Sequence, residues 1–334
     1  MNTTTPFSTR HVTATTAAGS PTSDQDPLQA GAAGQVRAGQ RALVLGGGGS
    51  AGNAWLIGVI AGLLAAGLDV TSADLIIGTS AGSTAAAQIT SVSPAQLLAH
   101  ILSAAPGQRS GPAGSDGGRA PIGAAADSMR RTSEIIAAAA DPADMRRRLG
   151  AAALEQDAAS DGGGQARWRA TVAARLPGMG WPERTVLITA VDADTGEPVV
   201  FDRHSGVELA DAVAASCANG FGVPPYGIGD RRYIDGGYRR SSENADLAAG
   251  YGRVLVLSPL GGRTRAPLAW GMDLAAQADE LRAGGSRVET VLPDSDSRSA
   301  FGDNMMDTSK RPVAARAGHD QGRALAGQLT EFWL

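Results

Sequence analysis

The feature that most constrains this chain is a short apolar run at 42–45 that stops at four consecutive glycines, Gly46 to Gly49. Ala-Leu-Val-Leu without polar alternation suits a strand buried on both faces, and the glycines suit a tight turn at its end. Segment 53–66 is apolar on nearly every face, which predicts a buried helix. It is shorter than the ~18–20 residues a bilayer span needs, and Gly58 and Gly62 leave room for close packing. Gly67 is the expected helix stop. A second buried strand is expected at 74–77, followed by Gly78-Thr79-Ser80-Ala81-Gly82 and a small-residue helix through Gln88. Strand, helix and strand in close succession make a βαβ unit with parallel strands. Both post-strand loops then open at one carboxyl edge, where open α/β sheets build their sites. The glycine run and Ser80 are therefore expected to face one another.

The rest of the pattern extends this unit into an α/β domain. Three layers, α/β/α, with a mainly parallel central sheet, are expected over 41–334. Strands are predicted at 185–192 and 198–202 around the hairpin signal Asp194-Thr195-Gly196, and at 232–235, 254–258 and 287–292. Helices are predicted at 207–216, near 268–283 and at 312–333. Residues 1–40, rich in Thr, Ser, Ala and Gly, read as a disordered tail that lacks the apolar stretch of a signal peptide. A low-complexity insert occupies about 104–184, with two helices expected at 128–149 and 166–175. Such an insert is either a lid or merely flexible.

Composition removes several function classes. The formal net charge of −4 argues against nucleic acid as a partner. One cysteine excludes an internal disulfide framework and a thiolate metal cluster. Without a signal peptide or a span the expected address is cytoplasmic, with at most transient contact with a membrane surface.

Three motifs carry chemistry. In a G-x-S-x-G elbow the serine sits on a strained strand-to-helix turn, and Gly78 to Gly82 has the required strand before and helix after. The helix start also directs amide N–H groups at charge developing beside that serine. With 45 glycines in the chain the bare pattern is common, and Gly48-Gly49-Ser50-Ala51-Gly52 matches it too. Ser80 follows its strand directly, whereas Ser50 follows a wide glycine turn, so context favours Ser80. The second motif, Gly47 to Gly52, reads as G-x-G-x-x-G and can present amides either to a pyrophosphate or to an acyl oxyanion. The pyrophosphate reading wants an acid ending the second strand, and that strand ends in Gly78-Thr79-Ser80 instead. The third motif is Asp235-Gly236-Gly237, an acid at the end of a short apolar strand.

Ester hydrolysis needs a nucleophile, a base and oxyanion donors, and the three motifs offer one of each. Together they resemble the patatin-like phospholipase family, in which a glycine-rich oxyanion loop, a G-x-S-x-G nucleophile and a D-G-[AG] base motif occur in this order. The resemblance runs from about Arg41 to Ser258 and includes 215–225 (ASCANGFGVPP). It implies a Ser80–Asp235 dyad without histidine, an oxyanion hole from the amides of Gly47, Gly48 and Gly49, and supporting glycines at Gly52, Gly78, Gly82, Gly236 and Gly237. It implies a lipid ester substrate, no cofactor and no metal. One departure is Ala51, which stands where the family usually carries Arg or Lys, and it makes a neutral ester or thioester more plausible.

Among the histidines only His319 follows the acid, as a Ser–Asp–His order would require, and it falls in an expected surface helix. His11 lies in the tail, and His100 and His204 precede Asp235. Asp192, Asp194 and Asp202 lack metal-ligand spacing and read as hairpin and solvent residues. Cys217 reads as a buried small residue. Met305 and Met306 near Phe301, and the terminal Phe332-Trp333-Leu334, read as packing. Two other readings stand beside the hydrolase: a nucleotide-binding oxidoreductase using the glycine loop, and a lipid-binding homologue without catalysis.

Overall fold

The computed structural model describes residues 36–103, 122–158, 163–178, 180–220 and 223–334. In chain order the strands are β1 (Arg37–Leu45), β2 (Leu75–Gly78), β3 (Thr185–Asp192), β4 (Pro198–Phe201), β5 (Tyr226–Ile228), β6 (Arg231–Asp235), β7 (Tyr251–Leu257) and β8 (Arg287–Val291). The helices are α1 (Gly49–Ala65), α2 (Ala81–Ile89), α3 (Pro94–Ser103), α4 (Ile122–Ala138), α5 (Pro142–Ala158), α6 (Gly164–Ala173), α7 (Leu209–Ser216), α8 (Leu274–Ala283), α9 (Ser295–Phe301) and α10 (Arg311–Trp333). The sheet runs β5-β6-β3-β2-β1-β7-β8, with β4 also paired to β3. Strands β3, β2, β1, β7 and β8 are mutually parallel, and β4, β5 and β6 are antiparallel additions at one end.

Period-two alternation divides the strand residues between two cores. Leu43, Leu45, Ile76, Ile188, Leu255 and Leu257 face a large layer that includes α1, α2, α7 and α10. Ala42, Val44, Leu75, Ile77, Val254 and Val256 face the smaller layer formed by α8 and the turn Ala245–Ala248. This is the expected three-layer α/β/α architecture. A third cluster packs Ile136, Met145 and Leu149 of α4 and α5 against Val191 and Ile234.

Several boundaries differ from the sequence expectation, each for a local reason. Strand β1 starts at Arg37 rather than Arg41. Arg37 donates its amide to Gly250 (3.0 Å) and the strand passes a register shift between Arg37 and Arg41, so polar residues extend it at its start. The rest of the expected tail, 1–35, lies outside the described residues. The expected helix 128–149 is broken between α4 and α5, where the Asp141 carboxylate accepts the Asp144 amide (2.8 Å) and Pro142 opens the next helix. The expected 166–175 helix is α6, and the insert's remaining stretches, 104–121, 159–162 and 179, lie outside the described residues. The expected 268–283 helix is divided by Gly271, which takes a left-handed conformation between a 3₁₀ turn and α8.

Register brings the three motifs together. Leu45 at the end of β1 pairs with Gly78 at the end of β2, and Gly78 pairs with Ile188 of β3. Beyond the end of β2, on the side opposite β4, β3 pairs Ala190 with Asp235. Strand β3 outruns β2, and β6 returns along that extension to end level with the mouth of the β2 turn.

Candidate active site

The turn after β2 is held in a conformation that disfavours an L-residue. Ser80 has φ 53° and ψ −117°, and it caps α2. Its amide donates to the buried Ser216 hydroxyl (2.9 Å), and its carbonyl accepts from the Ser83 amide (2.9 Å) and hydroxyl (2.6 Å). The flanking glycines are set by contact: a Cβ on Gly82 would stand 1.9 Å from the Leu45 carbonyl oxygen, and one on Gly78 2.6 Å from Ser83 Cα. Ser50 has no such geometry. It lies in the first turn of α1, and Gly49 before it takes the positive φ of 61°.

The glycine loop faces Ser80 directly, since a Cβ on Gly47 would lie 3.5 Å from Ser80 Cβ. Gly47 already donates its amide to the Ser242 carbonyl (2.8 Å), which narrows the three expected free amides to two. Among the described residues the amides of Gly48 and Gly49 meet no acceptor. Gly48 and Gly52 pack on Pro259, and Gly49 is covered by Met305 and Met306. Beneath the loop, the buried Glu243 carboxyl accepts from Ser258 (2.6 Å) and Ser241 (2.7 Å), and burial raises its pKa.

Asp235 is 7% exposed, and its Oδ1 accepts the Gly237 amide (2.8 Å). Burial pushes its pKa up to about 6, against the opposing hydrogen bonds from the Gly237 amide and the Ser80 hydroxyl and the more distant Arg265 charge. Gly236 packs on Thr189, whose carbonyl oxygen would lie 2.2 Å from an added Cβ.

One residue that pattern reading missed ties these parts together. Asn244, fully buried and left-handed at φ 53°, donates from Nδ2 to Thr79 Oγ1 (3.0 Å), Thr189 Oγ1 (3.2 Å) and the Gly236 carbonyl (2.9 Å). It links the residue before Ser80 to the residue after Asp235. Its neighbour Ser242 holds Gly47. The only signal was a polar Ser-Ser-Glu-Asn run after a glycine turn, which no hydrophobic period marks. Asn244→Ala is expected to lower kcat at least about tenfold with little change in KM, because two or three buried acceptors lose their donor and the turns shift. Steady-state kinetics on a soluble ester checks the split.

The other candidates lie elsewhere. His319 sits about two turns into α10, its backbone against Gly58 and Gly62. His100 is on α3, His204 is in an exposed turn, and His11 lies outside the described residues. Asp192 is buried rather than solvated: it closes the hairpin by accepting the amides of Asp194 and Thr195 (2.9 Å each) and pairs with Arg231 (2.7 Å). Desolvation pushes the Cys217 thiol up to about 11, so it is no nucleophile near neutral pH. Among the described residues no group of three His, Cys, Asp or Glu side chains could hold a metal ion, and no helix is long and apolar enough to cross a membrane.

The strand-turn-helix serine, the glycine loop and the Asp-Gly-Gly turn all fall inside the span 43–249, which matches the family model for patatin-like phospholipases. The chain belongs to the patatin-like phospholipase family. Membership points to lipid acyl hydrolysis and to lipid substrates. No curated protein matches this chain in sequence. Among solved structures it is similar to VipD from Legionella pneumophila, at 14% identity and a TM-score of 0.42, over 87% of this chain and 67% of that one.

Proposed function

We propose that the protein is a serine acyl hydrolase that cleaves lipid carboxylic esters through an acyl-enzyme on Ser80. The observation that carries this reading is the strained Ser80 turn set against a buried Asp235 whose pKa is about 6. Asp235 accepts the Ser80 proton as the hydroxyl oxygen attacks the ester carbonyl. The amides of Gly48 and Gly49, at the positive end of α1, stabilise the oxyanion that forms. Gly47 joins them only by giving up its Ser242 acceptor. Collapse of the tetrahedral intermediate expels the alcohol, which takes the proton back from Asp235. Water, deprotonated by Asp235, then releases the acid and frees Ser80.

A carboxylate is a weak base at its ordinary pKa, and burial brings Asp235 closer to the range a general base needs. The base must be ionised to act, so kcat/KM is expected to fall tenfold per pH unit below about 6 and to level off above it. A pH profile on a neutral p-nitrophenyl ester tests this, and a profile flat from pH 5 to 8 would remove Asp235 from the role. The nucleotide reading is disfavoured locally. Asp69 is spent on Thr71, whose amide (2.9 Å) and hydroxyl (2.6 Å) it accepts, and the β2 turn presents Ser80 where a ribose acid would stand.

A further inference from the structure

Of the run Ser241-Ser242-Glu243-Asn244, three side chains are buried and spent on the fold. The Ser241 hydroxyl accepts the amides of Glu243 (3.0 Å) and Asn244 (3.3 Å) and Gln277 Nε2 (2.9 Å), so its one hydrogen goes to Glu243 Oε2 (2.7 Å). Glu243 Oε1 accepts from Ser258, and Asn244 reaches Thr79, Thr189 and the Gly236 carbonyl. Ser242 is the exception. It is half-buried, and among the described residues its hydroxyl has no hydrogen-bond partner.

That hydroxyl stands beside the nucleophile. The Ser242 carbonyl accepts the Gly47 amide (2.8 Å), which holds the two residues together. The point a Cβ on Gly47 would occupy lies 3.5 Å from Ser80 Cβ and 3.8 Å from Ser242 Cβ. Glycine leaves that point open, and both serines are at ordinary contact distance from it, so a substrate atom fits between them. The third neighbour, the Thr79 carbonyl oxygen at 3.7 Å, is already engaged by the Gly82 amide (2.8 Å). Each hydroxyl is one bond beyond its Cβ, and rotation about χ1 carries it to the gap.

The two hydroxyls have different tasks because their partners differ. Ser80 bonds to Asp235 and is the one that loses its proton. Ser242 has no base among the described residues, so it keeps its proton and can only donate. Gly47 cannot donate to the gap while the Ser242 carbonyl holds its amide. The residue that takes the amide thus offers a hydroxyl in its place. Its backbone is clamped on both sides by the bonds of Ser241 and Asn244, which is the rigidity a preorganised donor needs.

We propose that Ser242 is a catalytic residue whose hydroxyl is the third donor of the oxyanion hole, beside the amides of Gly48 and Gly49. As the Ser80 oxygen bonds to the ester carbon, the carbonyl π pair moves onto its oxygen, and Ser242 donates a hydrogen bond to that oxyanion without transferring its proton. The bond weakens when the carbonyl re-forms and the alcohol leaves. This rests on the acyl-hydrolase reading and adds to it a residue outside the three motifs.

The test compares Ser242→Ala and Ser242→Thr with the wild type in three measurements: turnover of a soluble p-nitrophenyl ester, inhibition by an acyl trifluoromethyl ketone, and urea unfolding. The ketone adds to a nucleophilic serine as an anionic tetrahedral adduct. Ser242→Ala is expected to lower kcat at least about tenfold, toward the ~10²–10³ that one oxyanion donor is worth, with KM within about twofold. The ketone inhibition constant is expected to weaken by the same factor, because the adduct and the transition state share the oxyanion. The unfolding midpoint should not move, since the hydroxyl bonds nothing in the free protein, and Ser242→Thr, which keeps a hydroxyl, should recover most of the rate. A Ser242→Ala variant with kcat within about twofold of the wild type overturns the proposal and leaves the hydrolase reading standing. A slower variant with unchanged ketone affinity also overturns it, as does an equal loss in Ser242→Thr with a lower unfolding midpoint. A folded wild type that hydrolyses no ester and binds no ketone overturns the hydrolase reading and this role with it.

Discussion

Ser80→Ala is expected to lower kcat by about 10⁴-fold or more with the fold intact, because no other group supplies the attacking oxygen. The backbone makes the companion variant informative. At φ 53° and ψ −117° any side chain is strained, a cost of about 1–3 kcal/mol that only glycine avoids. Alanine keeps that strain, so Ser80→Ala should unfold in urea close to the wild type. Ser80→Gly should be equally inactive yet more stable by about 1 kcal/mol or more. A serine kept where glycine would be more stable is what a nucleophile at a tight turn requires. Esterase activity near wild type in either variant would remove Ser80 from the chemistry.

Asp235→Asn is expected to abolish turnover and to raise stability at neutral pH. The asparagine oxygen can still accept the Gly237 amide, but it cannot take a proton from Ser80. Burial raises the Asp235 pKa from 3.8 to about 6, so ionising it in the folded protein is disfavoured relative to the unfolded chain. Each pKa unit corresponds to about 1.4 kcal/mol, which gives a cost of about 3 kcal/mol at pH 7. The sign follows from the raised pKa: the cost is complete above about pH 6, shrinks as pH falls toward 3.8, and vanishes below that. The gain from Asp235→Asn should therefore be near its maximum at pH 7 and small at pH 4. Denaturant unfolding at both pH values measures it. A variant less stable than the wild type at pH 7 would mean that Asp235 is stabilised in its charged form.

What the sequence disclosed followed from period and from glycine. The βαβ unit was legible because 42–45 of β1, 51–63 of α1 and all of β2 are buried and so are largely apolar. The shared edge then followed from parallel pairing. Polar parts left no such trace. Asn244, Ser216 and Thr189 organise the site through buried hydrogen bonds whose partners are distant in sequence. Short elements such as β5 and α9 lie in polar or mixed stretches, and Pro142 divided what looked like one helix. Gly47 illustrates a finer limit, since a glycine motif shows where amides can be presented but not that Ser242 has already taken one.

The central claim is that Ser80 is an activated nucleophile, and labelling with a fluorophosphonate followed by peptide mapping tests it most directly. The account predicts a single adduct on Ser80, faster to form as pH rises through about 6 and absent in Asp235→Asn. An adduct on Ser50, or no adduct on a folded protein, would contradict it.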